Sequence, residues 1–223
     1  MAASAGTVNV RATDDIWLSG QSTGAAVNGY FGADTVPGNA PVEIKLTGGT
    51  LTFSATGSTS VDGSCFAGAD GSGCYPDQST FSPAPWGGDY NGPADALVGV
   101  FLDASTPTLS NVGGFQGPNF VAGPDYQNPS NVGPGSYSPA LGQIFLIGDG
   151  SGETFTAPGT ATRLFIASAD SLGGSKGNLG SLTVNFTGGM AVPEPSSWAL
   201  MIVGLLGLGA MTRSARRRQA LTA

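Results

Sequence analysis

Ala96-Leu97-Val98-Gly99-Val100-Phe101-Leu102 is a continuous apolar run with no polar side chain. It reads as a central strand buried on both faces. Downstream, Gln143–Gly148, Glu153–Ala157, Thr162–Ala167 and Ser181–Phe186 supply four more strands. Upstream, Thr7–Thr13 alternates around Val8, Val10 and Ala12, and Pro41–Leu46 alternates around Val42, Ile44 and Leu46. Gly48-Gly49 turns the chain into Leu51–Ala55, a strand expected to end at Gly57.

Between these strands lie three stretches expected to be loops: polar, Gly-rich 20–39, the excursion 62–95, and 104–140, whose six prolines let no helix persist. No helical periodicity occurs before the C-terminal tail. About eight short strands joined by long loops predict an all-β chain, a single β-sandwich with antiparallel sheets.

Composition agrees with that. Glycine numbers 37 and proline 15 in 223 residues, without collagen-like period or low-complexity tract, so frequent turns account for them. Residues 1–191 hold Arg11, Lys45, Arg163 and Lys176 against 14 acids (15 in all, less Glu194), a net charge of 4 − 14 = −10. Such a surface repels nucleic acid and anionic lipid. It suits cation-bridged partners, or it is simply a solvated acidic face.

Cys65 and Cys74, the two cysteines, close a short Gly-rich loop and are expected to form a disulfide in an exported chain. The sequence has no histidine. That removes Ser-His-Asp and Cys-His arrangements and His-ligated metals; carboxylate pairs could still act on glycosides, but nothing in the sequence sets two of them face to face, and the chain is read as non-catalytic. Trp17, Trp86 and Tyr90 are candidates for stacking on sugar rings, with Trp17 the more natural core residue. Asp149-Gly150-Ser151-Gly152-Glu153 and Asp70-Gly71-Ser72-Gly73 have the flavour of calcium loops, but neither fits an EF-hand and hairpin turns explain both.

The tail differs in kind. From Trp198 to Met211 no residue is charged, and Arg213, Arg216, Arg217 and Arg218 close the run. Ser196–Thr212 is expected to be a membrane helix: its 17 residues fall short of the roughly 20 that a bilayer core wants, and snorkelling arginines with an interfacial Trp198 offset the deficit. The positive-inside bias places the arginines in the cytoplasm and residues 1–191 on the far side. Met1–Val10 lacks a basic n-region and an apolar run, while Ala3-Ser4-Ala5 is like the end of a cleavage site, so the translation start is expected upstream.

Val192-Pro193-Glu194-Pro195, the short apolar span and the arginine cluster, in that order and spacing, resemble the PEP-CTERM sorting signal of Gram-negative bacteria. The resemblance implies recognition by an exosortase in the inner membrane and cleavage near the motif. Residues 6–191 would then be delivered to the cell surface or the exopolysaccharide matrix, and 192–223 would be an address.

A second resemblance covers most of residues 7–187. Leu51–Gly57 (L-T-F-S-A-T-G), Tyr75–Gln78 (Y-P-D-Q), Ala96–Phe101, Ile144–Gly148, Phe155–Pro158, and Leu164–Asp170 followed by Gly177–Asn185 are similar to the PA-IL family of galactose-binding bacterial lectins. It implies a small jelly-roll β-sandwich holding one calcium ion that bridges two galactose hydroxyls. On that resemblance Asp170 and Asn178 fall on calcium ligands that also touch the sugar, Val61 and Gly174 on backbone-carbonyl ligands, and Gln78 on a sugar contact. Gly177 stands where the lectins have an asparagine, and Tyr75 replaces a histidine that touches the sugar. As residues alone, Asp170 and Asn178 also fit turns capping strands. The expectation is non-catalytic carbohydrate binding, calcium-assisted; the alternative is a structural matrix protein without a working sugar site.

Overall fold

A computed structural model of the chain describes residues 5–29, 32–71, 74, 90, 92–112, 115–118 and 133–189. Thirteen strands run through them: β1 (Ala5–Arg11), β2 (Ala26–Gly29), β3 (Gly32–Thr35), β4 (Val42–Lys45), β5 (Thr50–Ser60), β6 (Leu97–Leu102), β7 (Leu109–Val112), β8 (Phe115–Pro118), β9 (Gly135–Tyr137), β10 (Ile144–Leu146), β11 (Glu153–Thr156), β12 (Arg163–Ser168) and β13 (Leu179–Thr187). Two single 3-10 turns, Ile16–Leu18 and Ser175–Gly177, complete the regular structure of these residues. The protein is an all-β sandwich.

A five-stranded sheet, β1-β13-β5-β11-β9, faces a four-stranded sheet, β10-β6-β12-β4. The inward residues follow the period-two rule of a pleated strand. Val10, Leu51, Phe53, Phe155, Leu182, Val184 and Phe186 from the first sheet pack on Ile44, Leu97, Phe101, Phe145, Leu164 and Ile166 from the second.

The alternate residues of the second sheet are buried as well. Val98, Val100 and Leu102 of β6, Ile144 and Leu146 of β10, and Phe165 and Ala167 of β12 form a second core with Ile16, Trp17, Leu18, Val27 and Leu172. The 16–18 turn and the β2–β3 segment therefore cap the outer face of β6. This is why residues 96–102 carry no polar side chain: both faces of the strand are covered.

Three expectations need correction. The stretches 20–39 and 104–140, expected to be loops, contribute five strands: β2, β3, β7 and β8 join in a third sheet of order β3-β2-β8-β7, and β9 adds an edge to the five-stranded sheet. In the third sheet the link between the two stretches is Asn28↔Gln116. Strand β5 does not stop at Gly57 but runs to Ser60, because Gly57 adopts φ +113 and lets the backbone lie against the Ser181 carbonyl. The sheets are not wholly antiparallel, since β9 pairs with β11 in parallel.

Cys65 and Cys74 are bonded, with Cα atoms 5.7 Å apart. The chain divides into two units, Met1–Ala191 and Val192–Ala223. Among the described residues no helix is long and apolar enough to cross a membrane. The span expected over 196–212 lies outside them.

Candidate functional site

Four segments meet beside the second core: the turn entering Ile16–Leu18, strand β3, the residues just before β6, and the β12–β13 loop. Their backbones are tied together. Asp15 bridges Ser168, the Asp95 N–H donates to the Ala169 carbonyl at 2.9 Å, and Trp17 Nε1 donates to the Asp170 carbonyl at 3.0 Å. Each segment brings an aspartate.

Asp170 and Asn178, expected to work together, are in contact: Asn178 Nδ2 donates to Asp170 Oδ2 at 2.9 Å and to the Ala12 carbonyl at 3.3 Å. Asp170 Oδ1 accepts from the Ser171 N–H at 2.6 Å. Gly174 lies against the same carboxylate, where a Cβ would come within 2.9 Å of Oδ2. Gly177 borders open space, with nothing within 4 Å of where a Cβ would stand. Val61 follows β5, its N–H directed at the Asp95 carboxylate. Tyr75, Gln78 and Trp86 lie outside the described residues. Tyr90, a stacking candidate, is instead a buried core residue whose hydroxyl donates to the Pro93 carbonyl at 2.9 Å, and Trp17 is likewise buried.

The stretch Asp149–Glu153 is a turn leading into β11, while Ser72 and Gly73 of the other acidic stretch lie outside the described residues. Asp149 Oδ1 accepts from the Ser151 N–H at 2.7 Å, and Asp70 Oδ1 accepts from the Asp149 N–H at 2.7 Å.

Three site aspartates went unnoticed in the sequence. Asp15 Oδ1 accepts from the Trp17 N–H at 2.8 Å, and Asp34 Oδ2 accepts from the Ser175 N–H at 2.8 Å. Their carboxyls face each other within hydrogen-bonding reach. Asp95 is fully buried in a left-handed backbone conformation (φ 66), and neither of its carboxylate oxygens has a formed hydrogen bond. In sequence each is one more turn aspartate; only a comparison of which turns meet would have singled them out.

Electrostatically the four buried acids are poorly compensated. Burial first, and then the neighbouring Asp34, pushes the Asp15 carboxyl well above its ordinary range. Burial likewise raises Asp34 and Asp170, and it carries Asp95 to about 7 with help from Asp170 and Asp62. Lys176, exposed to solvent, is the cation beside Asp34. Among the described residues no three His, Cys, Asp or Glu side chains converge tightly enough to hold a metal ion by themselves. Any ion here would need amide, hydroxyl or carbonyl oxygens besides carboxylates, which suits calcium and excludes the thiolate and imidazole shells of zinc.

Outside the sandwich, residues 191–218 match the model of the PEP-CTERM protein-sorting motif. This tail is a sorting signal. Such signals mark a membrane-anchored precursor that an exosortase processes and that is later exported. Among characterised proteins nothing matches the chain. The sorting motif thus assigns a route to the sandwich, and the chemistry of the sandwich rests on its own residues.

Proposed function

We propose that the chain is an exosortase-sorted, exported protein of the cell surface or exopolysaccharide matrix whose sandwich binds carbohydrate without catalysis, assisted by calcium at the β12–β13 loop. Asp170 and Asn178 would hold the ion, with carbonyls of the Gly174 and Val61 segments completing its shell, and Gln78 and Tyr75 would contact the sugar. Bound calcium supplies open coordination positions for a diol of the sugar.

One observation carries the reading. Asn178 is buried and held against Asp170, yet its Oδ1 has no hydrogen-bond partner. A buried acceptor left unpaired costs about 1–3 kcal/mol, and a hard cation is a partner that also balances the charge of the buried, hydrogen-bonded Asp170 carboxylate. The partners are accordingly an exosortase, the inner membrane during transit, and a neutral or acidic polysaccharide bridged by the ion.

Calorimetry on the full chain in mild detergent tests this, by titrating galactose and other monosaccharides with calcium and with chelator. Heat from a sugar that requires calcium and disappears in Asp170→Ala supports the reading. Sugar binding unaffected by chelator, or absent for every sugar while calcium still binds, sinks it.

A further inference from the structure

The outward side of the five-stranded sheet is chemically uniform. Pairing sets Thr7 beside Asn185 and Asn185 beside Ser54; in the next row Asn9 stands beside Thr183 and Thr183 beside Thr56. All six are exposed. The other outward positions of β5 from Thr50 to Ser58, and of β13 from Ser181 to Thr187, are serine or threonine as well. Cross-strand bonds hold the array in place: Thr7 Oγ1 donates to Asn185 Oδ1 at 2.7 Å, and the Thr52 and Thr187 hydroxyls are 2.6 Å apart. Strands lie about 4.8 Å apart and alternate residues about 6.8 Å along them, so hydroxyl and amide groups repeat on a regular grid.

One end of this grid is apolar. Phe66 and Leu179 are the large hydrophobic side chains that stand exposed among the described residues, at 51% and 52%. Leu179 pairs with Ser60 at the end of β5, and the antiparallel bridge Thr59↔Ala67 sets Phe66 on the other flank of Ser60. Both side chains therefore continue the outward alternation of the sheet. Phe66 is also firmly held. Cys65 before it is bonded to Cys74, and Ala67 after it exchanges backbone hydrogen bonds of 3.0 and 2.9 Å with Thr59. A ring presented to solvent on a fixed backbone loses little freedom on binding.

Charge narrows the choice of partner. Residues 1–191 carry 14 acids (15 in all, less Glu194), yet none stands at an outward position of β1, β5 or β13. Arg11, at the corner, is paired with Asp14 at 2.6 Å. An anionic partner is repelled by the rest of so acidic a chain, a membrane surface calls for lysines and arginines, and a protein partner calls for aromatic and arginine anchors in a packed core. Hydroxyls and amides both donate and accept, which matches the hydroxyls of an uncharged sugar chain, and an aromatic face takes the apolar side of a sugar ring.

We propose that the outer face of the five-stranded sheet, from Phe66 and Leu179 across Thr56 and Thr183, binds an extended chain of an uncharged polysaccharide, with one ring stacked on Phe66. The inference goes beyond the calcium-assisted reading and does not rest on it, since no ion takes part. Leu179 directly follows Asn178, so the face adjoins the β12–β13 loop and the same polysaccharide can reach both.

Native electrophoresis of the full chain in mild detergent, through gels holding dextran, galactan or laminarin and with chelator throughout, tests this. Retardation by at least one of these neutral polymers is expected, and none by alginate, an acidic one. Phe66→Ala is expected to weaken the binding about fivefold to tenfold while Phe66→Tyr keeps it. Thr56→Val with Thr183→Val, which keeps side-chain shape and removes two hydroxyls, is expected to weaken it about tenfold with an unchanged thermal midpoint. No retardation of the wild type by any neutral polymer overturns the proposal, and so does retardation that Phe66→Ala and the double valine variant retain. Sugar binding that needs calcium and Asp170 but ignores both variants overturns it and leaves the calcium reading standing. Retardation in chelator that is lost in Phe66→Ala, with no sugar heat added by calcium, upholds the face and removes the calcium reading. A dimer in sedimentation that Phe66→Ala dissolves, without retardation by any polymer, assigns the face to a second copy and overturns the proposal.

Discussion

Gly29, the last residue of β2, lies against the Leu172 carbonyl so closely that a Cβ there would overlap the oxygen, and the Cα of Gly173 is 2.7 Å from the same position. The β2–β3 hairpin and the β12–β13 loop thus share a backbone-to-backbone contact that only glycine permits. Asp34 and Ser175 are brought together across it.

Gly29→Ala should therefore force the hairpin off the loop while leaving the core between the two main sheets untouched. A cost of about 1–3 kcal/mol is expected from such overpacking, with calcium affinity falling in parallel. Urea denaturation followed beside calcium titration checks it; unchanged stability would mean that the two segments separate freely.

Gly177 presents the opposite case. Its surroundings are open, its φ is not in the left-handed range, and it ends the turn that leads to Asn178. Gly177→Asn should be tolerated with a stability change within about 0.5 kcal/mol and should supply one more amide oxygen. Calcium affinity measured by calorimetry is expected to rise several-fold. A loss of affinity would show that the side chain at 177 faces away from the ion.

The same contrast explains what could be read in advance. Residues 96–102 declared a strand covered on both sides because neither face offers a polar residue, and β6 is that strand. The strands in 20–39 and 104–140 escaped notice for a physical reason. β2 and β3 are four residues each, Val27 is the single fully apolar buried residue between them, and they are completed by a partner near Gln116 that no local period reveals. Asp170 and Asn178 drew attention only through the resemblance to the PA-IL lectins; as residues alone they fit turns capping strands. Asp15, Asp34 and Asp95 stand in three different turns, and what distinguishes them from solvated acids is burial by distant segments.

The Cys65–Cys74 bond closes a short loop whose Ala67 exchanges backbone hydrogen bonds with Thr59 at the end of β5. Closing so short a loop restrains the unfolded chain by about 2.5–3 kcal/mol in the chain-entropy model. Cys65→Ser with Cys74→Ser should lower stability by up to that amount without altering calcium binding, since both cysteines lie in a segment apart from Asp170 and Asn178. Chemical denaturation of the double variant against the wild type reads the difference. A loss of calcium binding would instead tie the loop to the site.

Asp95 sets the pH response of the chelated protein. Its carboxyl, raised to about 7 chiefly by burial and further by Asp170 and Asp62, holds a proton in the folded chain that the unfolded chain has already lost above its ordinary value of 3.8. Between those two values the folded state binds more protons, so stability must fall as pH rises, by at most about 1.4 kcal/mol per unit for this group. Above about 7 its contribution levels off. Asp15, Asp34 and Asp170 are shifted in the same direction. Calcium reverses the sign for the carboxylates it contacts, because a bound ion requires them deprotonated and its affinity grows with pH. Urea denaturation at pH 5 and pH 7.5 is therefore expected to show lower stability at the higher pH in chelator, and a smaller or inverted difference in calcium. Asp95→Asn separates the contributions. Asparagine accepts the left-handed backbone at φ 66, and the variant should flatten the chelator profile while keeping the calcium effect. A chelator profile that rises with pH would show that the buried acids are ionised and compensated within the fold.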